Sequence, residues 1–177
     1  MTSYPPDIQR LVDRESIRDC VLRYTRGLDR EDEGLLRSAF HADALDDHGN
    51  FIGPALDFPK RKSRTNLHWA NYQHYVSNQT IELDGDTAHI ETYFLAALKR
   101  PDNAMNLVGG RYIDRAERRE SVWAIAARVV IIEWNIDGPS SQAGRLADPF
   151  ATGTHDKSDL SYQRPLHVTR EFRDLSS

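Results

Sequence analysis

The second half of the chain is dominated by strand-forming segments that short turns separate, and this order constrains the fold most. Four segments are rich in β-branched and aromatic residues: 75–83, 87–99, 105–116 and 122–134. The first pair flanks Asp84-Gly85-Asp86, which is typical of a tight hairpin, and a charged turn is predicted at 117–120. We therefore expect an antiparallel meander that needs a covering layer on one face.

The first third of the chain has helical periodicity and supplies that layer. Ile8, Leu11 and Val12 share one face, after which the phase breaks and Asp13 is a plausible cap for a second helix. The stripe of this second helix is Ile17, Cys20, Val21, Tyr24 and Leu28, with Gly27 near its end. Asp32 is predicted to cap a third helix. Helices followed by a meander predict an α+β fold with the helices on one face of a curved sheet.

Two further segments have distinct patterns. Residues 51–54 are predicted to close a short hairpin whose turn is His48-Gly49-Asn50, and polar residues 57–71 are ambiguous, with a helix as one reading. Residues 137–165 are rich in Gly, Pro and Ser. We expect a domain over 1–136 and an irregular C-terminal arm over 137–177, which folds over a pocket mouth, its own or that of a neighbouring subunit.

Composition excludes several classes of function. The chain has 177 residues, a formal net charge of −4 and 28% charged residues, which favours a single globular domain without general attraction to nucleic acid or anionic lipid. Cys20 is the single cysteine, so no intrachain disulfide forms. We recognise neither a signal peptide nor an apolar run long enough to cross a membrane in this sequence, and we therefore expect a cytoplasmic protein that binds no membrane.

Six short segments carry a resemblance to a known family: residues 24–30, 38–44, 74–78, 85–88, 110–115 and 123–130. Their order and spacing resemble the SnoaL-like branch of the nuclear-transport-factor-2-like superfamily, over roughly residues 7–135. The resemblance implies an α+β cone in which three N-terminal helices pack on a curved antiparallel sheet, with a pocket at the wide end.

The same resemblance leaves two classes of function open. The superfamily contains scytalone dehydratase, bile-acid dehydratase, hexachlorocyclohexane dehydrochlorinase and aromatic formaldehyde lyases, which implies a lyase acting on an aromatic or polycyclic small molecule. Ketosteroid isomerase is also a member, so an isomerase is a second enzymatic reading. It also contains non-catalytic small subunits of ring-hydroxylating dioxygenases, so a subunit or binding module is the alternative. The chain has no Gly-rich phosphate loop, paired cysteines or His-Glu-x-x-His helix, and we expect no cofactor.

The resemblance implies an acid–base dyad of His74 and Asp29. Neutral imidazole is a suitable base for proton abstraction from carbon, because its unperturbed pKa is about 6.5. A carboxylate on its other nitrogen would fix the tautomer and stabilise the imidazolium. The structural alternative is that Asp29 caps a helix and His74 is a half-buried strand residue.

Tyr24 and Arg128 are the predicted polarising groups. Tyr24 would converge on Asp29 only if the helix ended between them, and its alternative role is core packing. Arg128 has apolar neighbours, so it needs a partner or a pocket, and a salt bridge to Glu91 or Asp29 is its alternative role. The resemblance places an arginine from the matching strand against the substrate, and Arg111 is a weaker second choice.

The remaining candidates concern the pocket wall, metals and assembly. Residues 41–48 contain the residue types that bind metal ions, but their spacing matches no metal site, and we expect no metal. We expect these residues to form a solvated loop, with His48 at the pocket mouth. Other expected substrate-binding residues are Trp69, Tyr93, Met105, Phe150 and Tyr162. Strands 105–134 carry more apolar residues than one cone interior needs, which predicts a homo-oligomer through the sheet face, and the resemblance favours a trimer.

Overall fold

A computed structural model describes residues 4–49, 51–57, 69–138, 156–158 and 162. The helical elements are α1 (Pro6–Asp29), α2 (Glu33–Arg37) and a 3-10 turn (Ala55–Asp57). The strands are β1 (Phe40–Asp47), β2 (Ile52–Pro54), β3 (Asn71–Asp84), β4 (Thr87–Lys99), β5 (Met105–Arg119) and β6 (Val122–Gly138). Within 57–71, where a helix is one reading of the sequence, Asp57 ends the 3-10 turn and Asn71 begins β3, whereas residues 58–68 lie outside the described residues. Most of the predicted arm lies outside them as well.

The strands form one sheet in the order β2-β1-β6-β5-β4-β3. The pairs from β3 to β6 are antiparallel, which confirms the predicted meander, whereas β1 runs parallel to β6. The sheet is curved and open, and α1 packs against it, so the predicted α+β cone is confirmed. The parallel pair extends the sheet beyond the meander and adds β1 to the wall of the cone.

Helix α1 is a single helix, so the predicted break at Asp13 is wrong. The helix buries a stripe along one face: Ile17, Cys20, Val21 and Tyr24, each at most 1% exposed. Asp13 does not cap a helix; it is buried and accepts a hydrogen bond of 2.9 Å from the indole N–H of Trp123. The helix therefore continues through the phase change because its first turns are largely exposed and need no common apolar face.

Gly27 lies inside α1 and does not end it. A Cβ at this position would lie 2.6 Å from the backbone nitrogen of Leu36, so the glycine lets α2 approach α1 closely. The chain reverses at Glu31, whose φ is 51°. The predicted cap of α2 is confirmed, because the side chain of Asp32 accepts the Leu35 N–H at 3.0 Å.

Two hairpin turns match the sequence and one is shifted. The His48 N–H donates to the Phe51 carbonyl at 2.7 Å across the first, and Gly85 has a φ of 58° in the second. The charged turn predicted at 117–120 lies further along the chain, because β5 continues to Arg119. The turn consists of Glu120 and Ser121, both with positive φ, which gives the tight geometry that antiparallel hairpins favour.

The two faces of the sheet differ in their surroundings. The concave face packs on α1 and buries a set of apolar and aromatic side chains: Ile90, Phe94, Tyr112, Ala116, Trp123 and Ile125. The opposite face exposes large apolar side chains, among them Val129, Trp134 and Ile136. Within the described part of the chain, no helix is long and apolar enough to cross a bilayer.

Candidate functional site

His74 and Asp29 contact each other directly. The Nδ1 atom of His74 lies 2.6 Å from Oδ1 of Asp29, and the backbone N–H of His74 donates to Oδ2 at 3.0 Å. Both oxygens of the carboxylate are thus used by one residue, which fixes the position of the imidazole relative to the end of α1. Because a carboxylate only accepts, the proton lies on Nδ1 and Nε2 is the basic atom.

The surroundings of the dyad hold it between the end of α1 and the start of β3. The side chains of His74 and Asp29 are 14% and 16% exposed, so the pair is sheltered but reachable. The Tyr72 ring packs edge-on against the His74 ring at 6.4 Å, and its hydroxyl donates to Oε1 of Glu31 at 2.7 Å. The positive φ of Glu31 therefore turns a second carboxylate towards β3, beside the dyad.

Arg128 is fully buried and pairs with Asp114, not with Glu91 or Asp29. Its Nε and Nη2 donate to the two carboxylate oxygens at 2.7 Å each, and Glu91 instead pairs with Arg111. Burial by itself would lower the pKa of Arg128, but the adjacent carboxylate outweighs burial and raises the pKa, so the guanidinium stays charged.

Tyr24 covers one face of this guanidinium. Its ring centroid lies 4.1 Å from the Arg128 Cζ, and the ring of Tyr112 lies 4.3 Å from the same atom. Burial raises the pKa of Tyr24, and the positive charge of Arg128 only partly opposes this, so the hydroxyl stays protonated. Because α1 continues to Asp29, the two helix positions are about 140° apart around the axis. Tyr24 faces Arg128, while Asp29 faces β3.

Tyr112 packs against the buried arginine and Tyr24, and sequence reasoning missed its role. It stacks on Phe94 at 4.4 Å and meets Tyr24 edge-on at 5.6 Å. Burial raises the pKa of Tyr112 well above its usual range, and the charges of Asp114 and Asp29 add to the shift while Arg128 opposes it. A single ring is thus within electrostatic reach of both halves of the site. The strand alternation that places Tyr112 and Asp114 on one face was available in the sequence.

A second carboxylate–imidazole pair lies at the end of β1. Asp46 is 1% exposed, and its Oδ2 lies 3.3 Å from Nδ1 of His48, whose side chain is 24% exposed. Asp46 is the cross-strand neighbour of Arg128. The prediction of a solvated acidic loop is therefore wrong, because residues 40–47 form β1 and Asp46 is buried in it, although Asp43 is exposed and paired with Arg119.

Three buried polar atoms of this interior have no hydrogen-bond partner in the described structure: the Tyr24 hydroxyl, Asp46 Oδ1 and Arg128 Nη1. Leaving such a group unsatisfied costs about 1–3 kcal/mol. The three atoms lie on the adjacent elements α1, β1 and β6, so this part of the interior is polar. The described residues contain no group of three or more His, Cys, Asp or Glu side chains that could hold a metal ion.

A family model for the SnoaL-like domain matches residues 9–129, which include every residue of the dyad and of the arginine cluster. The chain belongs to the SnoaL-like domain family. No curated relative matches it at a significant level.

Solved structures similar to this SnoaL-like domain share its fold at low identity. A hexachlorocyclohexane dehydrochlorinase (LinA, type 2) is 21% identical, with a TM-score of 0.70, over 78% of this chain and 99% of the other. A Novosphingobium aromaticivorans protein assigned provisionally as a scytalone dehydratase is 18% identical, with a TM-score of 0.65, over 76% and 95%. Another from the same species, assigned provisionally as an aromatic ring hydroxylase, is 21% identical, with a TM-score of 0.64, over 76% and 96%.

The other expected pocket residues of this SnoaL-like domain are not gathered around the dyad. Tyr93 is 40% exposed and lies on the outer face of the sheet, 5.9 Å from Arg111. Met105 lines a surface depression of about 260 Å³ with Gln73 and Lys99. Since Gln73 and His74 are consecutive in β3, this depression lies on the face opposite to the dyad. The alternation of side chains along each strand decides on which face of the sheet Tyr93 and Met105 lie, and the apolar character of these residues does not indicate the face.

The last three expected residues have separate positions. Trp69 is half-buried just before β3. Tyr162, from the predicted arm, donates its hydroxyl to Oδ2 of Asp32 at 2.8 Å and lies over Arg26. It therefore contacts the junction of α1 and α2, three residues from Asp29. Phe150 lies outside the described residues.

Proposed function

We propose that this SnoaL-like domain is a cofactor-independent lyase that removes a small group from an aromatic or polycyclic molecule. The contact between His74 and Asp29 carries the proposal. An imidazole whose Nδ1 is held at 2.6 Å by a carboxylate has its basic Nε2 available for a proton. The family membership supports a lyase-type activity at a coarse level, and dehydrochlorinase and dehydratase folds are among the similar structures.

The proposed reaction begins with proton abstraction from carbon. His74 Nε2 takes a proton from the carbon next to a carbonyl, while Asp29 stabilises the imidazolium that forms. The electron pair of the broken C–H bond forms a C=C bond, and a group on the next carbon leaves with its own bonding electrons. The charge of Arg128, in a water-poor interior, lowers the energy of the developing enolate oxygen, and the protonated Tyr24 hydroxyl adds a dipole there.

The interior wall favours an aromatic or polycyclic substrate. The rings of Phe40, Tyr24, Tyr112 and Phe94 follow one another through contacts of 4.4–5.6 Å, from β1 through α1 to β5 and β4. A flat apolar ring suits the edge of such an aromatic layer, and the few polar groups beside it would fix the orientation. His48 at the rim and Tyr162 near the end of α1 are proposed as additional contacts to the substrate.

The test uses two aromatic ketones that give the same product. β-Hydroxypropiophenone loses water and β-chloropropiophenone loses hydrogen chloride, and both yield phenyl vinyl ketone after a proton is removed from the carbon next to the carbonyl. Chromatography measures this product, and also acetophenone with formaldehyde, which would report C–C cleavage. The uncatalysed rate is subtracted.

His74→Gln should lower kcat by about 10²–10⁴-fold with both ketones, the usual contribution of a general base. His89→Gln is the matched control, since His89 is an exposed residue of β4 that pairs with Glu82 and Arg115, away from the dyad. A native protein that eliminates neither group, or a His74 variant as active as the control, would contradict the proposal.

A non-catalytic subunit or binding module is the second candidate. The exposed apolar side chains of the outer sheet face, such as Val129, Trp134 and Ile136, favour it because they could cover a larger partner. Purification distinguishes the two: a subunit copurifies with an iron-containing partner and has no elimination activity by itself.

The same outer face is our proposed surface for self-assembly into a homo-oligomer, with a trimer favoured. Along β6, the alternate residues Val129 and Ile131 point away from α1. We also propose a cytoplasmic location, which is consistent with the buried free thiol of Cys20.

A further inference from the structure

Two contacts join the end of α1 and the turn after it to the start of β3. Asp29 contacts His74 at 2.6 Å, and Glu31 accepts a hydrogen bond of 2.7 Å from the Tyr72 hydroxyl. The two acidic residues are two positions apart in the sequence, and so are their two partners on β3. Because alternate residues of a strand point to the same face, Tyr72 and His74 lie side by side on one face of the sheet. The second contact is therefore a neighbour of the dyad.

The position of β3 makes its contacts with α1 important. β3 forms an edge of the sheet, and its first residues pair with β4, Asn71 with Lys99 and Tyr72 with Leu98. Such ladder hydrogen bonds fix a strand within its sheet. The distance between β3 and the end of α1 depends instead on side-chain contacts between these two elements.

Glu31 reaches Tyr72 from an unusual backbone conformation. The N–H groups of Glu31 and Asp32 donate to the carbonyls of Leu28 and Gly27 at 3.2 and 2.9 Å, which forms a Schellman cap at the end of α1. Glycine is the usual left-handed residue of such a cap, yet the φ of Glu31 is 51°. The residue that departs from this preference is the one whose carboxylate binds Tyr72, which indicates that the contact compensates for the disfavoured backbone.

Tyr72 also supports the imidazole of the dyad. It is 4% exposed, and its ring meets the His74 ring edge-on with centroids 6.4 Å apart. One end of this rigid side chain thus holds the turn after α1, while its ring packs against the proposed base. Asp29 precedes Glu31 by two residues and belongs to the same capped helix end.

We infer that Tyr72 is a positioning residue: by binding Glu31 and packing on His74, it holds the imidazole and the carboxylate of the dyad in contact. Its consequence for the reaction rests on the proposed lyase function. Without the hydroxyl of Tyr72, the turn at Glu31 is no longer tied to β3, and the contact of 2.6 Å between Asp29 and His74 loosens. A general base works only when it is held within about 0.5 Å of its productive position.

The first measurement uses the protein without substrate. The Nδ1 proton of His74 lies between a nitrogen and a carboxylate, so it should give a far-downfield proton NMR signal and exchange slowly with water. His74→Gln assigns the signal by removing it. Tyr72→Phe keeps the ring but loses the hydroxyl, and we expect the exchange of this proton to become about tenfold faster or more.

Tyr75→Phe is the matched control. Tyr75 belongs to the same strand, is 54% exposed, and its hydroxyl donates to Oε1 of Gln73 at 2.8 Å. This variant loses a hydrogen bond of the same kind on the opposite face of β3, so the His74 signal should not change. Thermal melts check that the variants are folded. Glu31→Ala leaves the Tyr72 ring in place and should speed the exchange as well, so it replaces Tyr72→Phe if that variant does not fold.

Kinetics with the two ketones give the second measurement. Tyr72→Phe should lower kcat by about 10–100-fold with both, and change KM by less than about threefold, because a misplaced base slows the chemical step more than it weakens binding. Glu31→Gln retains an oxygen that accepts from Tyr72 but has no charge, so its loss should be smaller than that of Tyr72→Phe. An equal or larger loss in Glu31→Gln would show that the charge of Glu31 acts on the reaction, and would overturn the positioning role.

The outcomes separate this inference from the proposed function. If the His74 proton exchanges equally fast in Tyr72→Phe and Tyr75→Phe, the positioning role is wrong, whether or not the protein is a lyase. If the exchange responds to Tyr72→Phe but the native protein eliminates neither group, the role of Tyr72 in the dyad stands and the lyase function fails. A native protein without the downfield signal would contradict the held contact, and the inference with it.

Discussion

The buried pair of Arg128 and Asp114 should be the most sensitive ion pair in the domain. Asp114→Asn retains the shape of the side chain but removes the charge that compensates the guanidinium. Two hydrogen bonds of 2.7 Å are weakened, and hydrogen bonds to charged groups contribute about 1.5–3 kcal/mol each. Both side chains are 0% exposed, so water cannot replace the lost partner. We expect the free energy of unfolding to fall by about 3–5 kcal/mol, the usual cost of leaving a buried charge unpaired.

The assay is urea unfolding followed by circular dichroism, with Glu133→Gln as the matched control. Glu133 also accepts a bond of 2.7 Å from an arginine, Arg111, but its side chain is 41% exposed. An exposed ion pair of this kind contributes about 0–1 kcal/mol, because solvent screens it.

A double variant, Asp114→Leu with Arg128→Met, removes both charges and should recover most of the stability that Asp114→Asn loses. An Asp114→Asn variant that loses no more than the Glu133 control would refute the reasoning.

Three other changes should have measurable effects. Gly27→Ala should lower the free energy of unfolding, because its Cβ would lie 2.6 Å from the Leu36 backbone, and this clash outweighs the roughly 1 kcal/mol gain in helix propensity. Gly34→Ala is its control: the new Cβ would lie 3.4 Å from Asp32 Oδ1, so this variant should be neutral or stabilising in the same urea assay. The hydrogen bond from the Leu35 N–H lowers the pKa of Asp32 in the folded state. The ionised cap therefore stabilises the fold above the unfolded-state pKa, and this contribution is lost as the pH falls through the lower folded-state pKa. Because Asn cannot titrate, the free energy of unfolding of Asp32→Asn should fall less steeply in acid than that of the native protein. Light scattering should give a multiple of the 20.3 kDa chain mass, and a monomer at micromolar concentration would contradict the proposed assembly.

Local patterns predicted most elements of the fold because they depend on neighbours in the sequence. The hairpin at Gly85 and the cap at Asp32 follow from the backbone preferences and hydrogen-bonding capacity of single residues. The helix break predicted at Asp13 failed for the opposite reason. Its carboxylate is used by Trp123, a partner 110 positions away that no local pattern indicates.

The residues of the candidate site divide in the same way. The resemblance pointed to His74 and Asp29, and their contact is present. Arg128 was recognisable as a buried charge in need of a partner, but the partner proved to be Asp114 because the antiparallel register of β5 and β6 places the two opposite each other. For Asp46 the sequence predicts a solvated loop, and this is wrong because its burial depends on the parallel pairing of β1 with β6.

The sequence by itself determined that helices precede a meander, where the tight turns lie and which family the chain resembles. These features depend on residue periodicity and on backbone preferences that act over a few positions. The tertiary structure decided which polar groups meet: Asp29 with His74, Asp114 with Arg128, and Asp46 with His48 beside Arg128. Two of these three pairs join separate elements, and the third owes its burial to a parallel strand pair. Register and sheet order, which arise only when distant segments pack together, therefore set the chemistry of the interior.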